Sequence, residues 1–273
     1  MTDRYAVIGN PIAHSKSPLI HAEFALQTRQ DISYTAVLAT RESFVSTVLE
    51  FARQGGKGMN VTIPFKEQAW KHLATDILPR AASARAVNTL KFEDAKIIGD
   101  NTDGVGLLRD IEINLGFPVA DRRVLLMGAG GAARGVLPEL LRRHPASLNI
   151  VNRNVDKARE LQEGSTLSGI LSASDYRGLS GRQFDLLINS TSSSMKDELP
   201  PLPKGIFAKG ALAYDLMYGK GLTPFLRFAQ EHGAAKLADG YGMLVEQAAE
   251  SFLVWRGVRP ETSPVIAMLR ADE

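Results

Sequence analysis

From position 124 the chain reads Val124-Leu125-Leu126-Met127-Gly128-Ala129-Gly130-Gly131-Ala132-Ala133-Arg134-Gly135, and this run sets the architecture. Four apolar residues make a short buried strand. Gly128, Gly130 and the small Ala133 then stand at the spacing of a dinucleotide-binding turn. The first glycine permits the tight turn, the second lets backbone approach a pyrophosphate, and the third small residue lets helix pack on strand. The following helix, predicted over Ala132 to Arg143, offers phosphate its free N–H groups and the positive end of its dipole.

Downstream the alternation continues: strand Leu148 to Asn152, helix Val155 to Gln162, strands Leu186 to Asn189 and Leu212 to Asp215, helix Thr223 to His232. Where an acidic residue would bond a ribose 2′-hydroxyl, the second strand ends in Asn152-Arg153-Asn154, with Lys157 a turn later. A guanidinium there accommodates a 2′-phosphate and stacks on adenine, so the pattern favours NADP(H) as cofactor.

Upstream, strand candidates Tyr5 to Ile8, Ser33 to Leu38 and Gly58 to Ile63 alternate with helical spacing over Pro18 to Leu26 and Glu42 to Gln54. Repeated β-α-β predicts a second, mostly parallel sheet. Helices follow from Lys66 to about Leu73 and over Ala81 to Ala86, then a hairpin of Val87 to Phe92 with Lys96 to Gly99. A helix from near Gly104 to before Gly116 leads out of this region. The last elements are a helix Met243 to Trp255 and a Pro-bounded segment to Arg270. The expectation is an α/β protein of two domains. Residues 1–103, rejoined by about 241–273, form an N-terminal α/β domain, and 104–240 form the Rossmann-type one.

Composition narrows the class. The 273 residues are 44% hydrophobic and 23% charged with a net charge of +2, which argues against disorder and gives no nucleic-acid footprint. Cysteine is absent, which removes disulfides, thiolate nucleophiles and Cys-ligated zinc and fits a reducing, cytoplasmic setting. Met1 to Tyr5 run straight into an apolar strand, so no signal peptide is expected, and no apolar stretch reaches membrane-spanning length. None of the five histidines forms a helical ligand pair, so no metal is expected. His14 and His21 read as a polar turn and a helix face.

Polar strings interrupt the strand ends, where an α/β sheet opens its crevice. They are Asn10-Pro11-Ile12-Ala13-His14-Ser15-Lys16-Ser17-Pro18, Asn60-Val61-Thr62-Ile63-Pro64-Phe65-Lys66, Ala86-Val87-Asn88-Thr89 and Gly99-Asp100-Asn101-Thr102-Asp103-Gly104. Taken singly, Ser17 reads as a cap before Pro18, Asn60 and Asn88 as turn residues, and Asp103 as an N-cap.

Taken in order with Gly128 to Ala132, Asn152-Arg153 and Asp239-Gly-Tyr-Gly-Met-Leu-Val-Glu-Gln-Ala-Ala249, these strings resemble the shikimate dehydrogenase family over nearly the whole chain. The resemblance implies an NADP-dependent oxidoreductase acting on a CH–OH group, reducing 3-dehydroshikimate to shikimate between the two domains. It implies a carboxylate site at Ser15 and Ser17, contacts to the ring hydroxyls from Thr62, Asn88, Asp103 and Gln247, and a further substrate contact from Asn60. Tyr218 reaches the substrate, and Lys66 is the acid/base paired with Asp103. On the cofactor side it implies Gly128, Ala129, Gly130, Gly131, Ala132, Asn152, Arg153, Asn154, Lys157, Thr191, Ser192, Leu216 and Gly240. The partner is a small molecule, and the assembly a monomer or homodimer.

The chain departs from the family's pattern at Arg85, where glycine is usual, and at Tyr241, where an aliphatic residue is usual; Ala22 and Asn154 are milder departures. Arg85 and Tyr241 bear on cleft charge and shape. A paralogue acting on quinate or an amino analogue, and a non-catalytic NADPH-binding regulatory protein, are the alternatives. The Ser-Lys-Ser and Asn-Thr-Asp strings argue against a methylenetetrahydrofolate dehydrogenase on a similar plan.

Overall fold

The computed structural model describes residues 2–164, 169–191, 193 and 197–271. The chain divides into two compact units, Met1–Gly106 with Val245–Met268 and Leu107–Leu244 with Leu269–Glu273. In order, the elements leading into the second unit are β1 (Asp3–Gly9), α1 (Ser17–Thr28), β2 (Ile32–Leu38), α2 (Phe44–Arg53), β3 (Gly56–Val61), α3 (Lys66–His72), β4 (Asp76–Ile77), α4 (Pro79–Ala84), β5 (Thr89–Glu93), β6 (Lys96–Asp100) and α5 (Asp103–Arg109).

The first unit's sheet has the order β2-β1-β3-β5-β6-β4. Its β1 runs parallel to β2 and β3, and β4 parallel to β6, while β5 pairs antiparallel with both its neighbours. Residues Tyr5 to Gly9 are buried throughout, as a central parallel strand covered on both faces requires. The β5–β6 hairpin turns at Asp94 and Ala95, both at positive φ (49° and 62°). The core gathers Ile8, Phe44, Met59, Val61, Phe65 and Leu90.

Two local expectations change. Ser17 is the first residue of α1, not its cap: Lys16 holds that position without a side-chain bond, and Pro18 follows Ser17 in the first turn. Asp103 likewise opens α5, and it is Asn101 whose side chain accepts the Asp103 N–H at 3.1 Å. The two-residue β4 has too little sequence to carry a pattern.

The second unit runs β7 (Arg123–Met127), α6 (Gly131–Leu141), β8 (Ser147–Val151), α7 (Val155–Glu163), β9 (Leu171–Ser174), β10 (Phe184–Asn189), β11 (Phe207–Asp215), α8 (Pro224–Glu231), β12 (Lys236–Ala238) and the start of α9 (Tyr241–Arg256); α10 (Ser263–Ala271) ends the chain. Its all-parallel sheet has the order β12-β11-β10-β7-β8-β9, the doubly wound arrangement with its switch point between β7 and β10. Along β7, Val124 and Leu126 enter one core while Leu125 and Met127 enter the other. Both faces of the sheet are therefore covered. The short, partly polar β9 and β12 carry no apolar run and escape a pattern reading.

The helix expected from Gly104 to before Gly116 widens into a π-helical turn at Asp110–Asn114, closed by Leu115 N–H on the Asp110 carbonyl at 2.9 Å. The Asp110 side chain is held fast at the start of this turn. It is buried, accepts from the Tyr214 hydroxyl at 2.6 Å and from Asn114 Nδ2 at 2.9 Å, and sits where a Cβ on Gly242 would come within 2.0 Å of Oδ1.

Arg85 closes α4 in the left-handed conformation (φ 49°), its side chain exposed. Glycine bears no Cβ penalty in that conformation, whereas other L-residues do. Arg85→Gly is expected to stabilise the protein by about 1 kcal/mol, read as a rise of roughly 2–4 °C in thermal midpoint; a fall would contradict this account.

His21 is fully buried in α1, stacked on Tyr34 at 4.1 Å and edged by Phe24, Phe252 and Trp255. Among the described residues neither ring nitrogen has a hydrogen-bond partner. Burial lowers the imidazole from 6.5 to about 3. The folded protein keeps it neutral while the unfolded chain protonates below about 6.5, so its contribution is full above that pH. It is lost as pH falls toward 3, at up to about 1.4 kcal/mol per pH unit. Urea titrations at pH 7 and 5 should show His21→Phe losing less stability on acidification than the parent; parallel losses would refute the assignment.

Candidate active site

Lys66 opens α3 directly after the Thr62–Phe65 turn, and Asp103 opens α5 after the two-residue link Asn101-Thr102 that follows β6. Lys66 Nζ donates to Asp103 Oδ2 at 2.6 Å, with the two side chains 17% and 4% exposed. The other carboxylate oxygen, Oδ1, accepts from Asn88 Nδ2 at 2.9 Å. With both oxygens engaged the carboxylate cannot rotate, so the ammonium is held at one place on the unit's surface. A partly desolvated ammonium fixed by a carboxylate is suited to protonating a developing alkoxide.

Asn88 is the centre of this arrangement. Its Nδ2 also meets Thr102 Oγ1 at 2.9 Å and Gln247 Oε1 at 3.2 Å, while its Oδ1 accepts the Thr102 N–H at 2.8 Å and the Thr89 hydroxyl at 2.9 Å. The contact to Gln247 is the longest and is the one an incoming hydroxyl can take over. Gln247 sits close because Gly106 has no side chain: a Cβ there would lie 2.6 Å from the Gln247 backbone nitrogen.

Asn60, at the end of β3, is committed in the same way. Its Nδ2 reaches Ser251 Oγ at 2.9 Å, Asn88 O at 3.2 Å and Thr89 Oγ1 at 3.3 Å, and its Oδ1 accepts from the Tyr34 hydroxyl at 2.7 Å. Ser17 is 7% exposed, and its N–H donates to Ser15 Oγ at 3.3 Å. Thr62 follows β3, its N–H bonded to Ile8 O at 3.0 Å and its methyl against Gly9, where a Cβ would approach to 2.5 Å.

The sequence reading missed Tyr34, Thr89, Ser251 and Arg80. Ser251 lies four residues after Gln247 in α9 and bonds its carbonyl at 3.0 Å, so helical spacing was a usable signal. Tyr34 had none, because its link to Asn60 is made between strands. Arg80 bonds Asp100 at 2.5 and 3.1 Å and Glu250 at 2.6 Å, and Arg259 bonds Glu250 and Glu246 at 2.6 and 2.7 Å. Burial opposes the Arg80 charge, but Asp100 and Glu250 outweigh it and raise the guanidinium above its ordinary value. This network ties the loop that carries Asp103 to α9, which carries Gln247.

In the second unit the glycine turn lies at the switch point. Gly128 adopts φ 105°, and a Cβ there would come within 2.8 Å of Ser190 Oγ. At Gly130 nothing lies within 4 Å of the place a Cβ would take, and as the cap of α6 it brings no side chain to bond the helix's first-turn N–H groups. That cradle fits a diphosphate. Asn152 donates to the Asn154 carbonyl at 2.8 Å, and Asn154 caps α7 by accepting the Asp156 N–H at 3.0 Å. Arg153 and Lys157 are exposed, and Arg153 lines a cavity of about 650 Å³ together with Tyr176, Arg177 and Leu202.

Thr191 bonds Asn189 Oδ1 through its hydroxyl at 2.7 Å, while Ser192 lies outside the described residues. Leu216 and Gly240 are in close backbone contact, and Tyr218 stands beside Tyr241. Thus Lys66, Asp103, Asn88, Asn60 and Gln247 share one network, Ser15 and Ser17 pair separately, and the cofactor-side residues cluster at the strand ends of the second sheet.

Three family models match the chain: a shikimate dehydrogenase substrate binding domain over residues 7–90, a shikimate / quinate 5-dehydrogenase over 112–196, and a shikimate 5′-dehydrogenase C-terminal domain over 240–270. The shikimate dehydrogenase (NADP(+)) of Nitrosospira multiformis is 61% identical, covering 100% of this chain and 98% of its own. That of Chromobacterium violaceum is 57% identical over 99% and 98%. Among solved structures, an Ael1 enzyme from Pseudomonas putida superposes with a TM-score of 0.91 at 54% identity, covering 98% of each chain. A Thermus thermophilus shikimate 5-dehydrogenase in complex with NADP(H) and shikimate superposes at 0.87 with 31% identity over 99% of each. With its motifs in order, its doubly wound sheet and full-length relatives of this similarity, the chain belongs to the shikimate dehydrogenase family.

Proposed function

We propose that this protein catalyses the reversible, NADPH-dependent reduction of 3-dehydroshikimate to shikimate. The observation that carries the reading is the Lys66–Asp103 pair at 2.6 Å, its carboxylate locked by Asn88. The bound nicotinamide cofactor supplies the hydride that adds to the carbonyl carbon. Lys66 gives a proton to the carbonyl oxygen as negative charge develops there, and the neutral amine is reprotonated from solvent. Asp103 holds the ammonium aimed before the step and stabilises its charge.

The first unit is the substrate-binding one in this reading. Ser15 and Ser17 take the substrate carboxylate through their hydroxyls. Thr62, Asn88, Asp103 and Gln247 hold the ring hydroxyls, Asn60 adds a further substrate contact, and Tyr218 reaches the substrate. The second unit holds NADP(H). Gly128 to Ala132 cradle the diphosphate on the N-terminus of α6, Asn152 to Asn154 and Lys157 take the adenosine end, and Thr191, Ser192, Leu216 and Gly240 the nicotinamide end. Arg153 meets the 2′-phosphate, supported by the cavity it lines and by Arg177 on the same wall. Among the described residues no helix is long and apolar enough to cross a membrane. A cytoplasmic enzyme, monomer or homodimer, completes the proposal.

Nicotinamide reduction measured with shikimate or quinate, crossed with NADP or NAD, tests it: turnover is expected with shikimate and NADP, and turnover only with quinate and NAD would overturn it. Lys66→Ala should lower kcat by roughly 10²–10⁴-fold while changing shikimate binding far less. Near-parental kcat would remove Lys66 from the proton-transfer role.

A further inference from the structure

Tyr218 stands on a wall made by two stretches of backbone, the segment after β11 and the start of α9. They approach as closely as main chain allows: a Cβ on Gly240 would lie 2.1 Å from the Leu216 carbonyl oxygen, and Gly240 N–H donates to Met217 O at 3.1 Å. Leu216 N–H is held by Asn189 O at 2.9 Å and Met217 N–H by Asp215 Oδ1 at 3.0 Å. The backbone is thereby anchored up to residue 217. Just beyond it the chain turns through Gly219 and Gly221, the latter at φ 73°, so the direction of the Tyr218 ring depends on its side-chain neighbours.

Tyr241 supplies that neighbour. The two ring centroids are 4.7 Å apart with planes inclined at 39°, within the range of favourable offset aromatic pairs. Tyr241 is 4% exposed, so its own ring has little room to move. Burial raises the Tyr218 phenol above its ordinary value, consistent with a ring enclosed on one side. Because the glycine contact fixes the distance between the two backbones, a shorter side chain at 241 leaves a gap behind Tyr218, not a closer approach of the two segments.

We propose that Tyr241 is a positioning residue that sets substrate affinity by bracing Tyr218 against a cyclohexenyl carboxylate. The inference rests on the assignment of Tyr218 to the substrate, and its test separates the two. Steady-state kinetics with shikimate and NADP are measured for Tyr241→Leu, Tyr241→Phe, Tyr218→Ala and the Tyr218→Ala/Tyr241→Leu double variant, with NADPH affinity followed by fluorescence and folding by thermal midpoint.

Tyr241→Leu is expected to raise KM for shikimate roughly threefold to tenfold with kcat and NADPH affinity little changed, and Tyr241→Phe to recover most of that KM. In the Tyr218→Ala background Tyr241→Leu should add nothing, because the contact it removes is already gone. Additive effects in the double variant, a Phe variant as impaired as the Leu variant, or a Leu variant with parental KM beside an impaired Tyr218→Ala would each overturn the bracing role. A parental KM for Tyr218→Ala itself would overturn the assignment of Tyr218.

Discussion

One buried side-chain amide, that of Asn88, indexes the polar centre of the first unit. It donates toward Thr102, Asp103 and Gln247 and accepts from Thr89 and Thr102, and so brings together β5, the loop after β6, and α9. An amide has two hydrogens and two lone pairs to distribute. At 2% exposure its two hydrogens are shared among three acceptors, so the long Gln247 contact can be given up, whereas losing both Thr102 and Asp103 would strand a buried polar group at a cost of about 1–3 kcal/mol. The orientation of the Asp103 carboxylate, hence of the Lys66 ammonium, is therefore a property of the folded unit and not of two mobile side chains.

The second unit uses the same device with a carboxylate at its centre. Asp215, fully buried at the end of β11, accepts from Asn189 at 3.2 Å, from the Thr223 hydroxyl at 2.6 Å and from Met217 N–H at 3.0 Å. Asn189 in turn holds Thr191. The strand ends that line the switch point are thus fixed by short polar links, while the sheet beneath them is packed from both faces by apolar side chains. Each unit is rigid where it carries its candidate residues, because the backbone amides freed at the strand ends find side-chain partners.

What could be read in the residues was what is local. The Gly128–Ala133 turn announces its strand and helix because every requirement, from positive φ at Gly128 to open space at Gly130, falls within a few residues. The strings around Lys66, Asn88 and Asp103 were recognisable as strings, but not the way they interlock. Tyr34 reaching Asn60, Ser251 reaching both Asn60 and Thr89, and Arg80 joining Asp100 to Glu250 all span long stretches of chain. Arg85 shows a different limit. In sequence it is a charge near the site; in the structure its distinguishing property is a backbone conformation, which composition does not reveal.

The contact between Gly106 and Gln247 bears on how this scaffold can change. It is the main chain of Gln247, with its Cβ, that fills the space a side chain on residue 106 would need. The amide group beyond the Cβ takes no part in that packing and reaches Asn88 at 3.2 Å instead. Position 247 is therefore open to variation without disturbing the seam between α5 and α9, whereas position 106 is closed to everything but glycine. A substitution at the former can change the polar group beside Asn88 while the helix contact stays in place, because the two are carried by different atoms of the same residue.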